Sequence, residues 1–274
     1  MGSVTVGLVR LLHLCLLSAL LSAVPLSARA ELQFHWQDAF SAEEKSGLTA
    51  WITETQEALE SLVGTPPFEV HIFFHRIDGA REPVPWAHTE RSDIQGVHFH
   101  VDPRFPMSDF RRDWTAPHEL SHLVLPYLGS KHAWFAEGFA SYMQYQVMGV
   151  MGELTAAQVA RSYQRKLQRS EQNYGYPDSP FAAAAKRLRA ERKYPVMYWG
   201  GAAYFLRVGQ ELDQSPGQGL IATLKSYLTC CRQDEDDLQA LLAELDRLAG
   251  SDAFNRNLQR FRSVPGFPVF ADLF

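Results

Sequence analysis

The sequence predicts an α+β fold, with a small N-terminal α/β lobe that has a short sheet, followed by a mainly helical lobe. Two short segments before residue 104 are rich in β-branched and aromatic residues, which is typical of strands. Nearly every segment after them has the apolar spacing of helices. We therefore expect residues 31–112 to form the α/β lobe and residues 113–274 the helical lobe, with a cleft between them.

The α/β lobe is predicted to begin with an amphipathic helix. Ser41 is a favourable N-cap, acidic residues follow it in the first turn, and Gly64 closes the segment. The strands come next, as FEVHIFFHRI (68–77) and GVHFHVDP (96–103). The alternation of apolar residues with histidines is clearest in the second strand, so this part of the chain should form a small sheet.

The helical lobe is predicted from apolar periodicity and from Gly and Pro clusters such as NYGYPDSP and QSPGQG. The predicted helices are 115–125, 133–148, 155–172, 182–192, 197–212, 220–228 and 236–248, with a last short one at 254–262. The first of them directly follows the junction between the lobes.

The first thirty residues resemble a cleaved signal peptide. Arg10 precedes an apolar run of about fourteen residues, shorter than the roughly twenty that span a bilayer, and Ala28-Arg29-Ala30 precedes Glu31. We therefore expect residues 1–30 to be removed and the mature chain, 31–274, to be one domain without stable membrane insertion. Its expected location is the periplasm or the cell exterior.

The composition argues against a nucleic-acid partner. The formal net charge is −5, and removal of residues 1–30 takes away two arginines and no acid. Of three cysteines, only the adjacent Cys230 and Cys231 would remain in the mature chain. Two neighbouring cysteines cannot staple a small scaffold; they could be free, bonded to each other or bonded between chains.

The pentapeptide HELSH, residues 118–122, has the pattern of a metal site. His118 and His122 are four residues apart, so on a helix they lie on one face and can bind one ion. Glu119 projects about 100° further round the helix and can reach a water molecule on the open side of that ion. A zinc site that performs chemistry also needs a third protein ligand.

Glu137 is the predicted third ligand. Pro126 should bend or end the motif helix near Leu125, and the following YLGSK offers a glycine to reverse the chain and Ser130 to cap the next helix. The next helix, with WFAEGFASY, can then pack back across the first and bring the Glu137 carboxylate to the ion. His132 is an alternative ligand, although a role in the surface turn fits it better.

HExxH followed on the next helix by WxxEG resembles the gluzincin zinc metallopeptidases, and WFAEGFASY is most similar to their glycyl aminopeptidase and aminopeptidase N branches. The resemblance spans roughly residues 95–212. It implies a thermolysin-like zincin domain with the active site in the cleft between the lobes. It also implies one Zn2+ bound by His118, His122 and Glu137, with Glu119 as general base.

The same resemblance suggests two further residues. Tyr198, in YWGG, stands where relatives have a tyrosine that stabilises the oxyanion, but Gly200 replaces their lysine and Tyr194 is a nearby alternative. A purely packing role for Tyr198 is equally compatible with the sequence. Gln144 stands where relatives have an acid that orients a histidine ligand, and an amide can also accept a hydrogen bond from an imidazole.

One departure from the family bears on substrate choice. Aminopeptidases of this group bind the free amine of the substrate through an acid on an edge strand, and in QGVHFHVD that acid is missing. His98 and His100 stand in this segment, either at the cleft edge or, as we favour, on a solvent-facing side of the strand.

The function predicted from the sequence is a secreted zinc peptidase, and specifically an endopeptidase, with a polypeptide substrate. Two alternatives remain open: an aminopeptidase, and a catalytically silent zinc-containing binding or chaperone-like module. A structural zinc site would be expected to have four protein ligands, and the sequence offers no evident fourth.

Overall fold

A computed structural model describes residues 31–214, 219–232 and 237–274. The predicted signal peptide, residues 1–30, lies outside the described residues. The described part is a mixed α and β structure with one small sheet near its N-terminus and helices through the rest. The predicted order of a small sheet followed by a helical region is thus confirmed.

The sheet has four strands in the order β1-β2-β4-β3. The strands are β1 (Leu32–Trp36), β2 (Val70–Arg76), β3 (Trp86–Arg91) and β4 (Gln95–Val101). The β1–β2 and β2–β4 pairs are parallel, whereas β3 runs antiparallel to β4. The two inner strands were predicted and the two edge strands were not.

The two faces of the sheet differ in composition. Ile72, Phe74, Val97 and Phe99 on the inner strands are fully buried in the main core. The first helix, α1 (Ala42–Val63), contributes its buried residues to the same core and begins with a capping box between Ser41 and Glu44. The opposite face of the sheet carries partly exposed polar and aromatic side chains.

The helical part contains nine further helices within the described residues. They are α2 (Met107–Arg112), α3 (Thr115–Ser121), α4 (Ala133–Val150), α5 (Ala156–Gln172), α6 (Phe181–Ala190), α7 (Tyr194–Leu212), α8 (Leu220–Cys230), α9 (Leu238–Ala249) and α10 (Ala253–Ser263). All eight helices predicted for this region are present, with shifted ends, and the short α2 was not predicted.

Helices α4 and α7 pack very closely because each has a glycine at the contact. A Cβ added to Gly138 would lie 2.3 Å from the carbonyl carbon of Gly201, and one added to Gly201 would lie 2.1 Å from the carbonyl oxygen of Trp134. Real Cβ atoms do not approach backbone atoms so closely. The two glycines therefore fix the distance between the helices.

The region between the first two helices of the helical lobe departs from the prediction. Helix α3 ends at Ser121, not near Leu125, and Leu123 and Val124 continue it with tighter i to i−3 hydrogen bonds. Ser130 does not cap α4: it begins a 3-10 turn (Ser130–His132), and α4 has no side-chain cap at its N-terminus. The reversal itself occurs where it was predicted.

Two observations concern the cysteines and the membrane. Cys230 and Cys231 are bonded to each other in a disulfide between neighbours, which selects one of the three states left open by the sequence. Among the described residues, no helix has both the length and the apolar composition needed to cross a bilayer.

Candidate metal centre

His118, His122 and Glu137 converge at the contact between α3 and α4. His118 lies in the last turn of α3 and His122 is its C-cap residue, whose backbone is still helical, so the two imidazoles keep their one-turn spacing. Glu137 lies early in α4. One donor atom from each of the three side chains lies within 4.8 Å of the others.

The spacing of the donor atoms fits one zinc ion. An oxygen of Glu137 lies 3.2 Å from Nε2 of His118 and 3.5 Å from Nε2 of His122. Ligand atoms placed about 2.0–2.2 Å from a tetrahedral zinc ion are roughly 3.3–3.5 Å apart. Two imidazoles and one carboxylate also leave a fourth position for water or substrate, which is the arrangement of a catalytic rather than a structural zinc site.

Electrostatics in the centre favour a negative Glu137. Burial alone would raise the pKa of this carboxyl group, but the imidazoles of His122 and His118 outweigh burial and hold its pKa well below the usual range. The pKa of His118 is raised: burial acts against this change, and the carboxylates of Glu137 and Glu119 produce it. Both shifts show that the carboxylate stabilises a positive charge beside it, which is a proton on the His118 ring or, in its place, a bound metal ion.

Gln144 fixes the orientation of one imidazole. This residue is buried on α4, and its side-chain oxygen lies 3.0 Å from Nδ1 of His118. The amide oxygen is an acceptor, so Nδ1 carries a hydrogen and Nε2 is the nitrogen that faces Glu137 and would bind the ion. Nδ1 of His122 is buried and has no hydrogen-bond partner. The His118 ring is therefore oriented by a hydrogen bond to Nδ1, and the His122 ring is not.

Glu119 points toward the edge strand of the sheet. It is partly exposed, and one of its carboxylate oxygens accepts a hydrogen bond of 2.8 Å from the hydroxyl of Thr89 on β3. Glu119 is not one of the three convergent donors. This separation is what a base acting on a water molecule requires, since a base that binds the metal has less capacity to accept a proton.

Tyr198 lies beside the metal centre, whereas Tyr194, the alternative considered from the sequence, does not. The ring of Tyr198 stacks on that of His118 with centroids 5.9 Å apart, and its hydroxyl is close enough to Glu137 to hydrogen-bond with it. Burial, together with the charges of Glu137 and Glu119, raises the pKa of Tyr198. The phenol therefore stays protonated and can donate a hydrogen bond. Tyr194 is exposed one turn earlier on α7.

The structure does not bring His98 and His100 to the centre. Their strand, β4, is an inner strand, and both side chains lie on the sheet face opposite to Val97, which pairs with Thr89. Thr89 contacts Glu119, so the two histidines face away from the cleft. Of the two alternatives that the sequence left open, the structure places both histidines on the face turned away from the centre, which was the favoured one.

The edge strand β3 supplies the residues that the sequence analysis missed. Thr89 contacts Glu119, and Arg91 donates a 3.0 Å hydrogen bond from Nη1 to the carbonyl oxygen of His122. Glu90, between them, points to the other face and contacts His98. The only signal for this strand was a short alternation in WAHTER.

No family model matches the sequence, and no curated protein matches it. Solved structures do match. They include an aminopeptidase N family protein from Idiomarina loihiensis, with a TM-score of 0.62, 16% identity, and coverage of 88% of this chain and 46% of that one. An M1 zinc metallopeptidase from Deinococcus radiodurans matches with a TM-score of 0.53, 17% identity, and coverage of 88% and 50%.

A variant of the Deinococcus enzyme solved with a Tyr-Ser-Ala substrate matches with a TM-score of 0.52 and 17% identity, over 85% of this chain and 49% of that one. The chain therefore has the fold of the M1 zinc metallopeptidases, and it spans about half the length of these relatives. Within this fold, His118, His122 and Glu137 of the present chain form one cluster of possible metal ligands.

Proposed function

We propose that this protein is a zinc-dependent peptidase and that its substrate is a polypeptide. The observation that carries the proposal is the convergence of His118, His122 and Glu137, with the Glu119 carboxylate beside them but outside the donor cluster. Three protein donors suit a site that performs chemistry, since a structural zinc has four. The fold shared with M1 zinc metallopeptidases supports the same conclusion.

Each residue has a distinct role in peptide hydrolysis. His118, His122 and Glu137 would hold one zinc ion, which when bound polarises carbonyl groups and acidifies water. Glu119 takes a proton from the attacking water and later delivers it to the leaving amine. The hydroxyl of Tyr198 donates a hydrogen bond to the carbonyl oxygen of the substrate as negative charge develops there.

We infer that the enzyme is an endopeptidase, because the strand beside the centre lacks an acid that could bind a free amine. On β3, Thr89 and Arg91 face α3, and Glu90 faces away and contacts His98. Arg91 is cationic and would repel an ammonium group. The unpaired side of this edge strand can still pair with an extended peptide that continues past the centre on both sides.

An aminopeptidase is the second candidate. A structure similar to this one carries the name of an aminopeptidase N family protein. Peptides with free or acetylated N-termini separate the two activities. An endopeptidase cleaves both forms at internal bonds, whereas an aminopeptidase releases single residues from the free form and leaves the acetylated form intact.

Secretion forms a separate part of the proposal. It rests on residues 1–30, with Arg10, the apolar run and the small residues before Glu31. N-terminal sequencing of protein from the periplasm or the medium tests it, and the expected mature N-terminus is at or near Glu31. Full-length protein retained in the cytoplasm would contradict it.

Glu119→Gln tests the proposed chemistry. The amide keeps the size of the side chain but cannot accept the proton, so we expect hydrolysis of a broad peptide library to fall by at least about a hundredfold. Zinc content should stay the same, because Glu119 is not a donor. Glu171→Gln, on the exposed surface of α5, is the matched control and should be fully active.

Unchanged hydrolysis in Glu119→Gln would refute the proposal that this protein is a peptidase with Glu119 as its base. Wild-type protein that binds zinc and cleaves no peptide would instead support the catalytically silent binding module.

A further inference from the structure

Most histidines of this chain lie together on one face of the sheet. The chain has ten histidines, and two of them belong to the metal centre described above. The face of the sheet that points away from the core carries His35, His71, His75, His88, His98 and His100. We call these six residues the histidine face.

The strand registers explain how these side chains meet. Phe73 on β2 pairs with His35 on β1 and with His98 on β4, and His98 pairs with His88 on β3. Neighbours in register point to the same side of a sheet. Their rings stack across the strands, with centroids 4.3–4.6 Å apart.

Two pairs of imidazoles on the histidine face are in direct nitrogen contact. Nε2 of His35 lies 2.9 Å from Nδ1 of His71, and Nε2 of His75 lies 3.0 Å from Nδ1 of His98. The other ring nitrogen of His98 lies 3.0 Å from a carboxylate oxygen of Glu90. His100 stacks on His75, and its Nε2 is buried without a hydrogen-bond partner.

We propose that the histidine face binds divalent transition-metal ions such as Zn2+ and Cu2+, one at the His35–His71 pair and one at the His75–His98 pair. Imidazole is a favoured ligand of both ions. Two imidazole nitrogens bound to one tetrahedral zinc are roughly 3.3 Å apart, close to the spacing seen here. Binding would exchange the N–H···N hydrogen bond of each pair for two bonds to the metal, with a change of tautomer and a rotation of both rings toward the ion.

The surroundings of the pairs support metal binding rather than a packing role. All six side chains are at least partly exposed, so an ion can reach them from solvent. Burial and neighbouring imidazoles lower the pKa of His35 and of His75. These rings are therefore neutral near pH 7, which is the form that binds metals.

The two proposed sites differ from the first centre in their completeness. Among the described residues, groups of three potential donor atoms within 4.8 Å of one another occur at His118, His122 and Glu137 and at Cys230, Cys231 and Glu244, but the two sulfurs of the second group are joined in a disulfide. The histidine face supplies pairs, so water completes the coordination. We expect binding weaker than at the first centre, with fast exchange.

The test uses the full chain with His118→Ala and His122→Ala, which removes the first centre. Zn2+ alone is titrated and followed by calorimetry, and Cu2+ alone is followed by the nitrogen hyperfine splitting of its electron paramagnetic resonance spectrum. We expect about two ions per chain, one for each imidazole pair. Adding His71→Gln should remove one ion, and adding His98→Gln should remove the other.

His132→Gln, in the 3-10 turn before α4, is the matched control and should leave the stoichiometry unchanged. If the variant without the first centre does not fold, the same titration is carried out on wild-type protein. The ions of the histidine face are then measured as the zinc bound beyond the first equivalent. The proposal is overturned if no ion binds beyond the first centre. It is also overturned if uptake persists unchanged after His71→Gln and His98→Gln, as it would if the ions were bound elsewhere on the chain.

Discussion

The side-chain oxygen of Gln144 lies 3.0 Å from Nδ1 of His118, inside the buried contact between α4 and α3. This contact determines which imidazole nitrogen faces the proposed ion. An amide can accept the hydrogen on Nδ1, but it adds no negative charge to the ring as a carboxylate would. The zinc affinity of this protein should therefore respond to residue 144 in both directions.

Gln144→Leu removes the acceptor and should lower zinc affinity by about 10- to 100-fold, as measured by competition with a chelator. Gln144→Glu should raise the affinity, because the carboxylate makes the imidazole a stronger donor. Gln146→Leu, on the same helix but hydrogen-bonded to Tyr163, is the control and should bind zinc normally. Equal affinity in all four proteins would show that this contact does not orient the ligand.

Tyr198 and Tyr194 form a natural pair of test and control. Tyr198→Phe removes a hydroxyl beside Glu137 and should reduce kcat by roughly a hundredfold, about 3 kcal/mol of barrier, with KM and zinc content little changed. Tyr194→Phe should have full activity because its ring is exposed one turn away. A normal kcat in Tyr198→Phe would assign this residue to packing alone.

Thr89 should position the proposed base. Its hydroxyl donates a 2.8 Å hydrogen bond to Glu119, and Thr89→Val keeps the shape of the side chain while removing that bond. Without this hydrogen bond we expect the activation free energy to rise by about 1.5 kcal/mol, which corresponds to a roughly tenfold lower kcat. Zinc should still be bound. Thr53→Val, on α1, is the control. A larger effect on KM than on kcat would assign Thr89 to substrate binding instead.

The two glycines between α4 and α7 should be essential for stability. Gly138→Ala places a methyl group 2.3 Å from the backbone of Gly201, so we expect a loss of about 3 kcal/mol in the free energy of unfolding and weaker zinc binding through the adjacent Glu137. Gly149→Ala, on the same helix, meets no atom closer than 3.6 Å and should be neutral or slightly stabilising. Chemical denaturation measures both, and equal stability of the two variants would contradict the close contact.

The sequence predicted the donor cluster because its geometry is local. His118 and His122 need only one helical turn, and Glu137 needs only a reversal and the start of the next helix. Neither requirement depends on the exact ends of the helices. The predicted end of α3 and the predicted capping role of Ser130 were both wrong, and the three donors converge nonetheless.

The sheet was harder to predict because strand order and facing depend on distant residues. β1 and β3 are short edge strands with mixed polar and apolar residues, so their alternation alone did not identify them. Without β3, the strand bearing His98 and His100 was the available candidate for the cleft edge. A strand shows its alternation in the sequence, but the face that meets the cleft is set by pairing partners elsewhere in the chain.

The most direct test of the proposed zinc site is anomalous diffraction at the zinc absorption edge from crystals of the purified protein. We expect a peak bounded by Nε2 of His118, Nε2 of His122 and a carboxylate oxygen of Glu137, at about 2.0–2.2 Å from each. Zinc-soaked crystals without a peak between these three side chains would contradict the proposed site, as would a peak held by other residues while these three point apart.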